Sequence, residues 1–269
     1  MKQQQTAKKY ALITGATGGL GKAFVYELAL RGYALLLTGR SKDKLLALQD
    51  ELRAKFPTTE TRIYPADLAK EGDRCAMTDE IKGAGLRLSM LVNVAGADIQ
   101  KPFEAYTEAK LAFQCRVNFE SAVSMCRFAI ENRAELLKIV NISSVSGIYP
   151  MPYFAIYSAT KGALTSFSQA LREEVRKKGV YVTAVLPGAM PTREDIKAQI
   201  KGQGLWGKLA VKTPESVAKA SLRAVDKNKR KVIVGFWNKA MRVATCWMPT
   251  SWRLRFIAKR WGKITKDAF

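Results

Sequence analysis

The chain has 269 residues, enough for one large α/β domain or two small ones with a sizeable buried core. Lys and Arg number 45 against 23 Asp and Glu, so the formal charge is +22, and there is no histidine. The missing imidazole excludes Ser-His-Asp and Cys-His nucleophiles, HExxH zinc sites and a histidine general base.

Cys75, Cys115, Cys126 and Cys246 are widely spaced and form no CxxC pair, so they read as reduced thiols rather than a disulfide framework or a metal site. The stretch from Met1 to Lys9 is polar and basic, unlike a signal peptide. No apolar run approaches the roughly 18–20 residues of a spanning helix. The expected location is the cytoplasm, at most peripheral at the inner face of a membrane, with no metal centre.

Short aliphatic runs alternate with stretches of helical period, the pattern of a parallel sheet covered on both faces. The first run, Tyr10–Ile13, leads into Thr14-Gly15-Ala16-Thr17-Gly18-Gly19-Leu20-Gly21. A helix over Leu20–Arg31 follows, stopped by Gly32. Glycines at this turn let the backbone approach a pyrophosphate held on the N–H groups and positive dipole of the helix start. The spacing departs from G-x-G-x-x-G, and its place between the first strand and first helix supplies the specificity. A second strand, Tyr33–Thr38, ends in Gly39-Arg40-Ser41 ahead of a helix over Lys42–Lys55. An acid at this strand end would bind the ribose 2′-hydroxyl of NAD, whereas Arg40 suits a 2′-phosphate through forked, charge-assisted hydrogen bonds. The cofactor reading is therefore NADP(H), held by the turn and by Arg40 and Ser41.

Further strands are expected over Arg62–Tyr64, Ser89–Asn93, Leu137–Ile142, Val180–Leu186 and Lys231–Gly235. The longest helix runs from Phe154 to Lys178, and another starts at Thr213-Pro214-Glu215 as N-cap, N1 proline and first-turn acid. Between them, Ala189–Val211 carries Gly202, Gly204 and Gly207 around Trp206 and reads as a mobile lid over a substrate pocket.

Within the long helix, Tyr157-Ser158-Ala159-Thr160-Lys161 sets a phenol and an ammonium at i and i+4 on one face. A nearby cation lowers a tyrosine pKa of about 10 by about 1–3 units, toward useful acid–base chemistry. Ser144 stands at the end of the fifth strand, within Asn141-Ile142-Ser143-Ser144-Val145-Ser146-Gly147. Its hydroxyl can bond the carbonyl oxygen that the tyrosine protonates.

With these residues in view, the chain resembles the short-chain dehydrogenase/reductase family from residue 8 to about 236. The matching features are Thr14–Gly21, Asp67-Leu68, Asn93-Val94-Ala95-Gly96, Asn118, Ser144, Tyr157, Lys161 and Pro187-Gly188 with Thr192. The resemblance implies a Rossmann-type doubly wound α/β domain with a seven-stranded parallel sheet, and a homo-oligomer, dimer or tetramer. It implies that Tyr157 is the proton donor, that Ser144 orients the carbonyl, and that Lys161 binds the nicotinamide ribose and lowers the tyrosine pKa. Asn118 would hold a water of the proton relay. Asp67, Leu68 and Asn93 would serve the adenine side, Ala95 and Gly96 the cofactor cleft, and Pro187, Gly188 and Thr192 the nicotinamide end. A turn cap at Asp67 and a helix-interior amide at Asn118 are the structural alternatives.

Ser143 to Pro187 is most similar to the branch of 17β-hydroxysteroid dehydrogenases and long-chain 3-oxoacyl-CoA reductases. That similarity implies NADPH-dependent interconversion of a lipophilic ketone and a secondary alcohol. The competing class is a catalytically silent NADP(H)-binding sensor or scaffold, which would need the cofactor turn and not the Ser144, Tyr157 and Lys161 set.

A domain over residues 1–239 is expected to be followed by a basic, aromatic-rich extension over 240–269. From Lys229 to Phe269 there are eleven Lys or Arg and one acid, Asp267, together with Trp237, Trp247, Trp252 and Trp261. Nucleic-acid binding would use this charge, yet no recognised motif accompanies it. Solvated decoration, with the tryptophans covering the substrate cleft or packed on a partner subunit, is a second reading. The favoured reading is an anionic membrane surface: Leu254, Ile257, Ala258 and Trp261 form an apolar stripe, with Arg253, Arg255, Lys259 and Arg260 off it. Trp252 and Phe256 fall among the basic residues.

Overall fold

Leu12, Ile13, Leu35, Leu36 and Leu37 are each completely buried, as strand side chains on both faces must be when helices cover both sides. The computed structural model describes residues 8–191 and 211–262. Its strands are β1 (Tyr10–Thr14), β2 (Ala34–Gly39), β3 (Thr61–Pro65), β4 (Leu88–Asn93), β5 (Arg133–Ile142), β6 (Val180–Leu186) and β7 (Lys231–Ile233). They form one parallel sheet in the order β3-β2-β1-β4-β5-β6-β7. The order reverses between β1 and β4, the switch point at whose carboxyl ends such sheets bind ligands.

The helices are α1 (Gly19–Leu30), α2 (Lys42–Lys55), α3 (Glu71–Gly83), α4 (Glu108–Cys115), α5 (Ser121–Glu131), α6 (Ala155–Val175), α7 (Pro214–Asp226), α8 (Phe236–Cys246) and α9 (Thr250–Trp261). One face of the sheet is covered by α1 and α7 through Phe24, Leu28, Val217 and Leu222. The other buries Ile81, Met125, Phe128 and Val175 from α3, α5 and α6. Thr213 caps α7 as expected, its Oγ1 accepting from the Ser216 N–H at 3.3 Å ahead of Pro214. Between α4 and α5 the chain makes one π-helical turn, Arg116–Glu120, of the kind often found at functional sites.

Three boundaries differ from the sequence reading by two residues or more. Strand β5 begins at Arg133 rather than Leu137, and α6 ends at Val175 rather than Lys178. Strand β7 stops at Ile233, because Gly235 takes φ +97° and starts α8 instead of extending the strand. Helix α8 runs through residue 239, so the chain has no break at the expected boundary of the extension.

The apolar stripe of the extension points the other way from its expected direction. Leu254, Ile257 and Ala258 are half-buried against the enzyme, and the Arg253 guanidinium lies over the Tyr149 ring at 5.2 Å. Trp252 and Phe256 face outward instead. The loop after β5 offers Tyr149, Pro150 and Pro152 as an apolar seat, and the stripe is what fits it. The Trp261 side chain, Thr192 and most of the expected lid lie outside the described residues.

Candidate active site

The glycine turn closes against the β4 loop. Gly15 takes φ +63°, and a Cβ there would stand 3.0 Å from the Ala95 backbone. A Cβ on Gly21 would fall 2.0 Å from the Gly15 carbonyl oxygen. Only glycine permits this approach of helix to turn. Thr14 Oγ1 accepts from the N–H groups of Val94 and Ala95 at 3.0 and 3.1 Å, tying β1 to the β4 loop. Gly18 precedes α1 and offers no capping side chain, so the first-turn N–H groups face a cleft of about 360 Å³.

That cleft is lined by Gly15, Thr17, Gly18, Gly19, Leu20 and Gly21 from the turn, and by Arg40 at the end of β2. Asp67, Leu68, Ala95 and Gly96 form one wall, and Ser144, Tyr157, Lys161, Pro187 and Gly188 the far end. These residues fit a dinucleotide: a glycine cradle that a Cβ would fill, an open helix N-terminus for pyrophosphate, and a guanidinium where a ribose would end. Arg40 also lies over the Phe113 ring at 5.8 Å, which helps to fix its direction. Among the described residues no group of Cys, Asp and Glu side chains is placed to hold a metal ion.

Three expected contacts are placed differently. Ser41 is not in the lining; its Oγ accepts from the Lys44 N–H at 3.3 Å and so caps α2. Asn93 is buried beneath the cleft, where its Nδ2 donates to Asn141 Oδ1 at 2.8 Å and Asn141 Nδ2 donates to Ser168 Oγ at 2.9 Å. This chain of amides links β4, β5 and α6 behind the site. Asn118, on the π turn, is equally occupied: Oδ1 accepts from the Ala97 N–H at 2.7 Å, and Nδ2 donates to the Ala97 carbonyl at 2.9 Å. Its side chain clamps the loop that carries Gly96 and leaves little capacity for a water.

Ser144, Tyr157 and Lys161 do converge. Ser144 closes β5 and its Oγ accepts from the Ser146 N–H at 3.1 Å. The Tyr157 ring stacks on Phe154 at 4.3 Å, which holds the phenol over the cleft. The Lys161 ammonium lies 5.7 Å from the Tyr157 ring centre and donates to the Ile142 carbonyl at 2.9 Å. Burial pushes the Tyr157 phenol well above its usual value, the Asp98 carboxylate adds to that, and a hydrogen bond with Ser144 opposes it. Burial dominates, and the only influence lowering the phenol is Ser144 rather than the expected Lys161; the ammonium is itself depressed to about 8 by the same burial, with Asp98 working against the fall.

The sequence reading missed Asp98 and Ser143. Asp98 lines the cleft two residues after Gly96, and its charge acts on both Tyr157 and Lys161. Ser143 Oγ donates to the Lys161 carbonyl at 2.7 Å, fastening α6 to the end of β5. An acid two residues after Asn93-Val94-Ala95-Gly96 is a usable signal; nothing in the sequence marks Ser143 apart from its neighbour.

The pattern that defines the family described as short chain dehydrogenase matches residues 9–201. The chain is 36% identical over 231 residues to a very-long-chain 3-oxoacyl-CoA reductase of Bos taurus, covering 82% of this chain and 70% of that one. It is similar to the solved structure of a short-chain dehydrogenase from Sphingobium yanoikuyae in complex with NADPH, with 27% identity, a TM-score of 0.75 and 97% of each chain covered. A 7β-hydroxysteroid dehydrogenase structure gives a TM-score of 0.82 at 25% identity, over 93% of this chain and 96% of that one.

Proposed function

The chain belongs to the short-chain dehydrogenase family of oxidoreductases, and on that premise we propose that it uses NADPH to reduce a lipophilic ketone, with Tyr157 as proton donor. The observation that carries this reading is the meeting of Ser144, Tyr157 and Lys161 in the same cleft as the glycine turn and Arg40. A silent NADP(H)-binding sensor would use only the latter pair. When bound, the cofactor supplies hydride to the carbonyl carbon. Ser144 donates to the carbonyl oxygen and holds it beside Tyr157, whose proton goes to the oxygen as negative charge develops there. The upward push on Tyr157 keeps the phenol protonated at neutral pH, the form a donor needs, and so favours the reductive direction. The alkoxide formed is a stronger base than the phenolate, so the transfer remains downhill.

Arg40 is assigned to the 2′-phosphate of NADPH. For substrate, the favoured class is a long-chain 3-oxoacyl thioester, supported by the name and likeness of the Bos taurus relative. Met190, which follows Gly188 at the Tyr157 end of the cleft, suits an apolar guest. Steroid ketones are the second class to try. Replacing Tyr157 with Phe separates chemistry from binding: kcat should fall at least ~100-fold while the NADPH Kd changes less than about threefold. A variant that keeps more than about a tenth of the activity would place the acid elsewhere.

A further inference from the structure

Helices α8 and α9 present an outward face that neither the core nor the cleft uses. On α8, Phe236, Val243 and Trp247 fall on one stripe and are 73%, 66% and 90% exposed. On α9, Trp252 and Phe256 follow at i and i+4 and are 65% and 64% exposed. Their opposite faces are fixed to the enzyme. Tyr149 Oη and Thr245 Oγ1 share a hydrogen bond of 2.7 Å, Arg253 covers the Tyr149 ring, and Leu254 lines a cavity of about 460 Å³ with Pro150 and Pro152. Docking the inner stripe therefore directs the aromatics away from the protein. Five large apolar side chains this exposed on two successive helices mark an interaction site.

Charge decides what it meets. The sequence contains no acid between Asp226 and Asp267. Arg255 and Lys259 lie on the same side of α9 as Trp252 and Phe256, and Lys239 flanks Phe236. A second copy of the chain would bring this basic face against itself. Single-stranded nucleic acid would satisfy the charge and stack on the rings, but it offers nothing apolar to Val243. An anionic bilayer satisfies all three: acyl chains for the aromatics and Val243, headgroup phosphates for the basic residues. We propose that the α8–α9 pair seats the enzyme in the interface of an anionic phospholipid membrane. The proposal is independent of the catalytic reading.

Flotation of the full chain with vesicles tests it. Phosphatidylcholine vesicles containing phosphatidylserine should carry the protein up, pure phosphatidylcholine should not, and raised salt should release it. Trp252→Ser combined with Phe256→Ser should lower partitioning at least ~10-fold. Arg255→Gln with Lys259→Gln should lower it by a similar factor, at about fivefold per basic group. Each variant should bind NADPH as the parent does, which reports an intact fold. Equal flotation of parent and variants overturns the proposal, as does a parent that stays at the bottom of the gradient. Two further outcomes also overturn it: a lipid-free dimer that the aromatic variant loses, and capture by a single-stranded RNA oligomer that outcompetes the vesicles.

Discussion

At Tyr157 and Lys161 the same burial acts in opposite senses on two acids. It raises the phenol and depresses the ammonium to about 8, and Asp98 pulls both upward. In the proposed mechanism the ammonium is the working form of Lys161, because a cation is what would bind the ribose hydroxyls of the cofactor. Reductive kcat/KM should therefore be flat below pH about 8 and fall about tenfold per unit above it. Removing the negative charge lowers the lysine further, so Asp98→Asn should move the falling limb to lower pH. A pH–rate profile of the two proteins checks this, and an unmoved limb contradicts it. At the other end of the cleft, Arg40→Asp replaces attraction to a 2′-phosphate with repulsion. The Kd for NADPH should rise at least ~10-fold and that for NADH should change less than about threefold. Titration of both nucleotides by fluorescence decides it; equal affinities in the parent protein would sink the assignment.

Among the elements, the start of α1 tolerates the least change. A methyl group on Gly21 meets the Gly15 carbonyl at 2.0 Å, so Gly21→Ala must push α1 away from the turn. Backbone overpacking of this kind should cost about 3 kcal/mol, or roughly 6–12 °C in Tm for a domain of this size. NADPH should no longer protect the variant in a thermal melt as it protects the parent. The strands and the turn were legible because continuous runs such as Leu35–Leu37 and the glycines between β1 and α1 carry their own physical reason. The π turn was not, since Arg116–Glu120 uses residues that any α-helix accepts. Asn93 is assigned to the cofactor by resemblance, but its side chain lies buried beneath the cleft and bonded to Asn141. A sequence shows that an amide is present and not which neighbour claims it. The direction of the α9 stripe is not legible, because period alone does not say whether Leu254, Ile257 and Ala258 face lipid or the Tyr149 loop.

For the whole molecule, the reversal of strand order between β1 and β4 brings the glycine turn, Arg40, the β4 loop and the end of β5 to one edge. Helix α6 then delivers Tyr157 and Lys161 to the same place, and α8 closes its start against Gly188 through Asn238. The topology thus assembles from widely separated stretches of sequence a site that no single stretch contains. The reaction proposed for this site is hydride transfer from NADPH to a long-chain ketone. Its most direct test is NADPH oxidation by the full chain against a panel of long-chain 3-oxoacyl thioesters, steroid ketones and small aldehydes, each run beside Tyr157→Phe. NADPH should be consumed with the thioesters, little with the small aldehydes, and at least ~100-fold less with the variant. NADPH that binds but is oxidised by no ketone of the panel, or oxidation that Tyr157→Phe leaves intact, would contradict it.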